Sequence, residues 1–153
     1  MPHSGKMAES VTPLISLLYV SCSTISPRAR AQELQRIVNV AQAHNATMSV
    51  TGALVATTTH FAQILEGPQE AVAELMRRIR RDVRHKDIVV LSQTAIGGRR
   101  FPGWSLAYSG PATYMARKIK PIFDVLPSDD RNILISNLYE IMVRFSGCVD
   151  MAE

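Results

Sequence analysis

Aromatic residues are scarce, at 6% of the chain, and charged residues reach only 20%. So few charges exclude a largely disordered polymer. So few aromatics, with no RNP pattern, argue against a sheet that stacks RNA bases, and no direct nucleic-acid contact is expected. No apolar run approaches the ~20 residues that a membrane-spanning helix needs. The two cysteines, Cys22 and Cys148, show no CxxC or CxxH spacing. They read as reduced thiols of a cytoplasmic protein, not as a structural disulfide. The opening Met1-Pro2-His3-Ser4-Gly5-Lys6-Met7 lacks the apolar stretch of a signal peptide and reads as the start of a loose arm, residues 1–13. No Ser-His-Asp ordering, metal-ligand cluster or GxGxxG loop is evident.

What is present is a core. Hydrophobic residues make up 46% of 153 residues, enough for one ordinary domain. The net charge of +4 fits a phosphate-bearing ligand or an acidic partner, and equally an ordinary arginine-rich surface.

Leu14 to Cys22 is apolar on both faces and has the length of a strand inside a sheet. Ser26-Pro27 reads as an N-cap followed by proline at the first helical position. That helix runs to about His44, with Leu34, Val38, Ala41 and Asn45 on one stripe and Ile37 beside them. Val50 to Thr57 and His60 to Glu66 form a hairpin, although the link Thr57-Thr58-Thr59 has no glycine. Gly67-Pro68 opens a second helix as N-cap and first residue, with Val72, Leu75, Met76 and Ile79 as its apolar stripe. Asp82 to Asp87 is a polar loop, and Ile88 to Ile96 is a strand. Gly103 to Tyr108 is the last strand, with Trp104, Leu106 and Tyr108 on one face. The order βαββαββ is an α+β pattern, helices on one face of a mixed sheet. Beyond residue 110 the pattern turns helical, one segment over 112–120 and a second from Ser128-Asp129-Asp130 to Phe145. Leu134, Leu138, Ile141, Met142 and Phe145 form the second segment's stripe, and Gly147 can end it.

Three polar side chains break the apolar pattern. Strand alternation puts Gln63 on one face with Phe61 and Leu65. Tyr19 lies inside the first apolar strand, and Asn45 extends the buried stripe of the first helix. A buried primary amide needs partners for two donors and two lone pairs, so this set points to a flat polar ligand.

In these residues the chain resembles the BLUF family, flavin-binding sensors of blue light. The resemblance runs from Leu14 to Tyr108. It rests on Tyr19-x-Ser21, Asn45, Thr51-Gly52-x-Leu54 and Phe61-x-Gln63-x-Leu65-Glu66-Gly67-Pro68. It continues through Ile79-x-x-Asp82-x-Arg84-His85 and Arg100-Phe101-x-x-Trp104-Ser105. The resemblance implies a ferredoxin-like domain over residues 14–110 with a C-terminal helical extension over 111–153. It implies FAD bound noncovalently between the two helices. Asn45 would bond the ring's carbonyl and imide edge, Ile37 and Ile79 would sandwich it, and Phe61 would pack near it. His44, Asp82, Arg84 and His85 would lie at the ring edge or ribityl chain.

The resemblance also implies a photochemical pair. Tyr19 would donate an electron and a proton, and Gln63 would change its hydrogen bonds to the flavin. Trp104 and Leu106, on the last strand, would pass the change on. Leu106 stands where methionine is frequent, and leucine has no sulfur to accept a hydrogen bond. The expected output is a separate partner protein, with self-association into a homo-oligomer, and no turnover of substrate. The alternative is a flavin-dependent small-molecule enzyme on the same fold.

Overall fold

The structure, a computed structural model, describes residues 13–109, 135–140 and 142, with the backbone alone for 107–109. Its elements are β1 (Leu14–Ser23), α1 (Arg30–Thr47), β2 (Thr51–Ala56), β3 (His60–Pro68), α2 (Gln69–Arg81), β4 (His85–Ile96) and β5 (Trp104–Ser109). The strands form one sheet in the order β4-β1-β3-β2-β5. The pairings are antiparallel except that of β2 with β5. The first four strands with α1 and α2 are two interleaved βαβ units, the ferredoxin-like arrangement expected from the sequence.

Both faces of the sheet are covered, which is why β1 and β3 are apolar on both sides. On one face Ile15, Leu17, Leu54, Phe61 and Leu65 pack with Leu34 of α1 and Val72, Leu75 and Met76 of α2. On the other, Leu18, Val20, Val55 and Ile64 pack with Phe101, Leu138 and Met142. Leu138 and Met142 are fully buried, a gain of about 1.5–3 kcal/mol each. They belong to the stripe read from the tail sequence; that reading's other members, the 112–120 segment and the 1–12 arm lie outside the described residues.

Strand ends differ from the sequence reading by a residue at several places, and four boundaries differ in substance. Ser26 caps a turn, not α1. Its hydroxyl oxygen accepts from the Ala29 N–H at 3.4 Å, and Ala29 is the residue at the helix N-cap. β3 runs on through Pro68, so the proline is the N-cap of α2 and Gln69 its first residue. The first helix continues past His44 to Thr47, which places Asn45 inside the last turn. β4 begins at His85, taking in half of the expected polar loop. Its early part pairs irregularly with β1, and Asp87 adopts a φ of 55° beside that shift.

The hairpin turn needs no glycine because Thr57 substitutes for it. Its hydroxyl oxygen accepts from the backbone N–H of Thr59 at 3.2 Å and of His60 at 2.9 Å. Gly52 is different. Its φ is +152°, and a Cβ there would lie 1.8 Å from the carbonyl oxygen of Ile64. Only glycine fits where β2 crosses so close to β3.

Candidate functional site

A pocket lies between the helix pair and the sheet. Ile37, Val40, Ala41, His44 and Asn45 line it from α1, and Leu75, Arg78 and Ile79 from α2. The sheet contributes Tyr19, Leu54, Phe61, Gln63 and Trp104, and Asp82, Arg84 and His85 close one end. Thus every expected site residue except Leu106 reaches one cavity. Leu106 pairs in register with Leu54 and packs against the same apolar cluster, but it does not line the pocket.

The polar floor is built by cross-strand pairing. Tyr19 and Gln63 are direct partners of β1 and β3, so their side chains leave the sheet side by side. The Gln63 Nε2 donates to Tyr19 Oη at 2.5 Å. From β5, Trp104 Nε1 donates to Gln63 Oε1 at 2.9 Å. Trp104 therefore points inward, an orientation the sequence left open. An indole N–H can only donate, so this bond fixes which end of the Gln63 amide faces which neighbour. Each amide end keeps spare capacity: one N–H and one lone pair have no partner among the described residues.

Burial drives the Tyr19 phenol pKa well above its ordinary value, the Gln63 bond pulls it partly back, and the nearby Asp82 charge adds to the rise. The phenol is neutral across the physiological range. Beside it, His85 Nε2 faces the Ile79 carbonyl oxygen at 2.6 Å, and its Nδ1 lies 2.8 Å from Ser21 Oγ. A carbonyl only accepts, so Nε2 carries a proton. The His85 ring meets Tyr19 and Phe61 edge-on at 6.1 and 6.0 Å.

Asp82 and Arg84 form a two-pronged pair, Nη2 to Oδ2 at 2.7 Å and Nε to Oδ1 at 2.9 Å. Burial disfavours the Asp82 charge, but Arg84's hydrogen bonds and positive charge outweigh it, and the carboxyl stays below its usual range. Arg84 also lies 3.5 Å from Glu33 on α1. Arg78, not among the expected site residues, crosses the pocket lip to His44 Nε2 at 2.7 Å. Val40, Ala41, Leu54 and Leu75 also line the pocket without having been named as site residues. Ala41 and Leu75 had a signal in the apolar stripes of the two helices and Leu54 in the motif Thr51-Gly52-x-Leu54, whereas Val40 had none.

Asn45 is the outstanding group. It is 2% exposed and lines the pocket, yet its side-chain amide has no partner among the described residues. Its backbone carbonyl is well used, by the N–H groups of Met48 and Val50. An orphaned buried amide costs about 1–3 kcal/mol. Together with the spare capacity of Gln63, it makes an apolar slot with polar groups that converge on it. That is the chemistry a flavin ring fits: apolar faces, with donors and acceptors along one edge.

Fold and site thus define a ferredoxin-like domain with a ligand slot between its helix pair and its sheet. The model of the family described as sensors of blue-light using FAD matches residues 14–107, and the chain belongs to that BLUF family. It is 36% identical over 116 residues to the photoactivated adenylate cyclase subunit beta-like protein FB of Euglena gracilis, covering 75% of this chain and 13% of that protein. It is 39% identical over 70 residues to the blue light- and temperature-regulated antirepressor BluF of Escherichia coli, covering 46% of this chain and 17% of that protein. The chain therefore spans only a small part of these curated relatives. Among solved structures, the dark state of the BLUF protein BlrB superposes with a TM-score of 0.66 at 27% identity, covering 87% of this chain and 97% of that one.

Proposed function

We propose that the chain binds FAD noncovalently in this pocket and signals blue light through a rearrangement of the Tyr19–Gln63–Trp104 hydrogen bonds. The unpartnered Asn45 amide, lining the same slot as the half-satisfied Gln63 amide, is the observation that carries the reading. Asn45 offers one donor and one acceptor to the ring's imide edge. Ile37 and Ile79 cover its faces. The cations Arg78 and Arg84 at the mouth suit a phosphate-bearing chain.

The bound flavin supplies blue absorption and, when excited, an electron acceptor. Tyr19 is the phenol within reach of the slot. As its electron leaves, the phenol becomes a strong acid. The Nε2 bonded to its oxygen can only donate, so the proton can pass to Gln63 only as the amide turns and offers Oε1. Return of both leaves Tyr19 chemically unchanged, so what persists is the amide's orientation. Turned by half a rotation, Gln63 would present Oε1 to Tyr19 and Nε2 to Trp104. Two donors would then face each other, and the Trp104 bond would be lost. A neutral hydrogen bond of this kind is worth about 1 kcal/mol net, so the turned state is reachable and reversible.

No substrate is turned over in this reading. Among the described residues, the pocket's titratable groups are already engaged: Asp82 by Arg84, and His85 at both ring nitrogens. The output belongs to a separate partner protein or to a second copy of the chain. β5 and the helical residues on the far face are the surfaces that would report to it.

One experiment tests the core of this. Purified protein supplied with FAD should be yellow, and blue illumination should shift its absorption reversibly to the red. Tyr19→Phe and Gln63→Leu should keep the flavin and lose the shift. A colourless protein in excess FAD, or a normal shift in either variant, refutes the proposal.

A further inference from the structure

We propose that Glu66 is a positioning residue, tying the Gln63–Trp104 arrangement on one face of the sheet to the helical residues docked on the other. The inference rests on the photosensor reading above. Glu66 lies on β3 three residues beyond Gln63, so the pleat sends their side chains to opposite faces. It is fully buried, and among the described residues it has no ion-pair partner within reach.

Its carboxylate is held by hydrogen-bond donors from two separate parts of the chain. Oε1 accepts the backbone N–H groups of Arg100 at 2.8 Å and Phe101 at 3.1 Å. These residues lead directly into β5 and Trp104. Oε2 receives the hydroxyl of Tyr139, from helical residues 135–140, at 3.4 Å. The Ser16 hydroxyl, from the residue paired with Glu66 across the sheet, lies 2.7 Å from the same Tyr139 oxygen. The Arg100 guanidinium sits over the Tyr139 ring, 4.6 Å from its centroid. One carboxylate therefore holds both the lead-in to Trp104 and the far-face segment.

A buried charge tolerates little loss of its donors. If β5 shifts when Trp104 loses Gln63, the Arg100 and Phe101 amides move against the carboxylate. Its bond to Tyr139 must then change as well. Coupling of this kind is reciprocal, so a change at Tyr139 should be felt at the flavin site. Packing alone would lower stability without altering the photocycle.

The test uses the full chain loaded with FAD and follows dark recovery of the red-shifted absorption after a blue pulse. Glu66→Gln keeps the shape and an acceptor but removes the charge. Tyr139→Phe keeps the ring's packing and removes the hydroxyl. Glu66→Gln should change the recovery rate by about tenfold, the ratio that one charge-assisted hydrogen bond supports. Tyr139→Phe should change it a few-fold, and it carries the test if the Glu66 variant does not fold. Neither effect should persist in a Trp104→Phe background, because the coupling runs through Trp104. Recovery within about twofold of native in the folded variants, a spread expected of non-coupled sites, overturns the proposal. So does an effect of equal size in the Trp104→Phe background. A native chain with no red shift removes the photosensor reading and this inference with it.

Discussion

Replacing Asn45 by leucine should move protein stability and ligand affinity in opposite directions. The side chain is 2% exposed, and no described residue bonds its amide. Without a ligand, the fold bears the desolvation cost of that amide, about 1–3 kcal/mol. Leucine keeps the branched shape and heavy-atom count without polar atoms, and the slot that Asn45 lines leaves room for its bulkier methyl groups, so it removes the cost without a cavity. The flavin-free variant should therefore melt higher than the native apoprotein. At about 2–4 °C per kcal/mol for a chain of this size, the rise is roughly 2–12 °C. The bound state behaves oppositely. Two hydrogen bonds to the ring edge are lost, about 1 kcal/mol each, and the ring's polar atoms are left facing leucine. A loss of about 2–4 kcal/mol weakens binding by roughly 30- to 1,000-fold. Scanning calorimetry of deflavinated protein reads the first effect, and quenching of flavin fluorescence on titration reads the second. Native affinity in Asn45→Leu, or an apoprotein destabilised by the change, would show that Asn45 has another partner and that the flavin edge lies elsewhere.

Gly52→Ala should prevent folding, since the new Cβ would meet the Ile64 carbonyl oxygen at 1.8 Å; expression as insoluble protein, or a soluble product without flavin, is the readout. Tyr19 gives a pH dependence with a definite sign. Its folded pKa lies above the unfolded 10.0, so its contribution is fully present below pH 10 and is lost as pH rises through the folded value. The urea midpoint should fall above pH 10 more steeply in native protein than in Tyr19→Phe, and equal slopes would refute the burial of the phenol. Asp82 acts at the other end. Its folded pKa lies below the unfolded 3.8, so the Arg84 pair stabilises above that pH and fades as pH falls through the folded value. The pair is about one-third exposed, so solvent screening limits its worth to about 0–1 kcal/mol. Asp82→Asn should cost no more than that in urea unfolding at neutral pH.

Strands β1 to β3 were legible in the sequence because their apolar runs are bounded by turn residues and buried on both faces. The phenol and the two amides were legible for a related reason: polar side chains inside apolar patterns are conspicuous. The start of α1 was misread because Ser26 and Pro27 look alike before a helix and before an isolated turn. Only the course of the chain after Pro27 decides between them. The opening of β4 was hidden by an irregular pairing, which breaks the alternation that marks a strand. Trp104 was undecidable because its direction is set by Gln63, 41 residues away, and not by local geometry. Glu66 was seen as part of a motif but not as a buried charge. Its partners are backbone N–H groups and a distant hydroxyl, and neither leaves a mark in the neighbouring sequence.

The two neighbours of Gln63 are chemically unequal, and that inequality is what gives the amide a preferred state. A phenol can donate or accept, so Tyr19 accommodates either end of the amide. An indole N–H can only donate, so Trp104 accepts one orientation and opposes the other. With a second hydroxyl in place of Trp104, both orientations would be served equally and no resting state would be defined. With an apolar residue there, neither would be favoured from that side. Leu106 cannot restore the balance, since it lies outside the pocket and carries no acceptor. The resting arrangement therefore depends on one donor from β5, the strand that among the described residues joins the sheet only through β2. An edge strand can shift without rebuilding the core, so in the proposed photocycle the element that sets the resting amide is also the one best placed to report its turning.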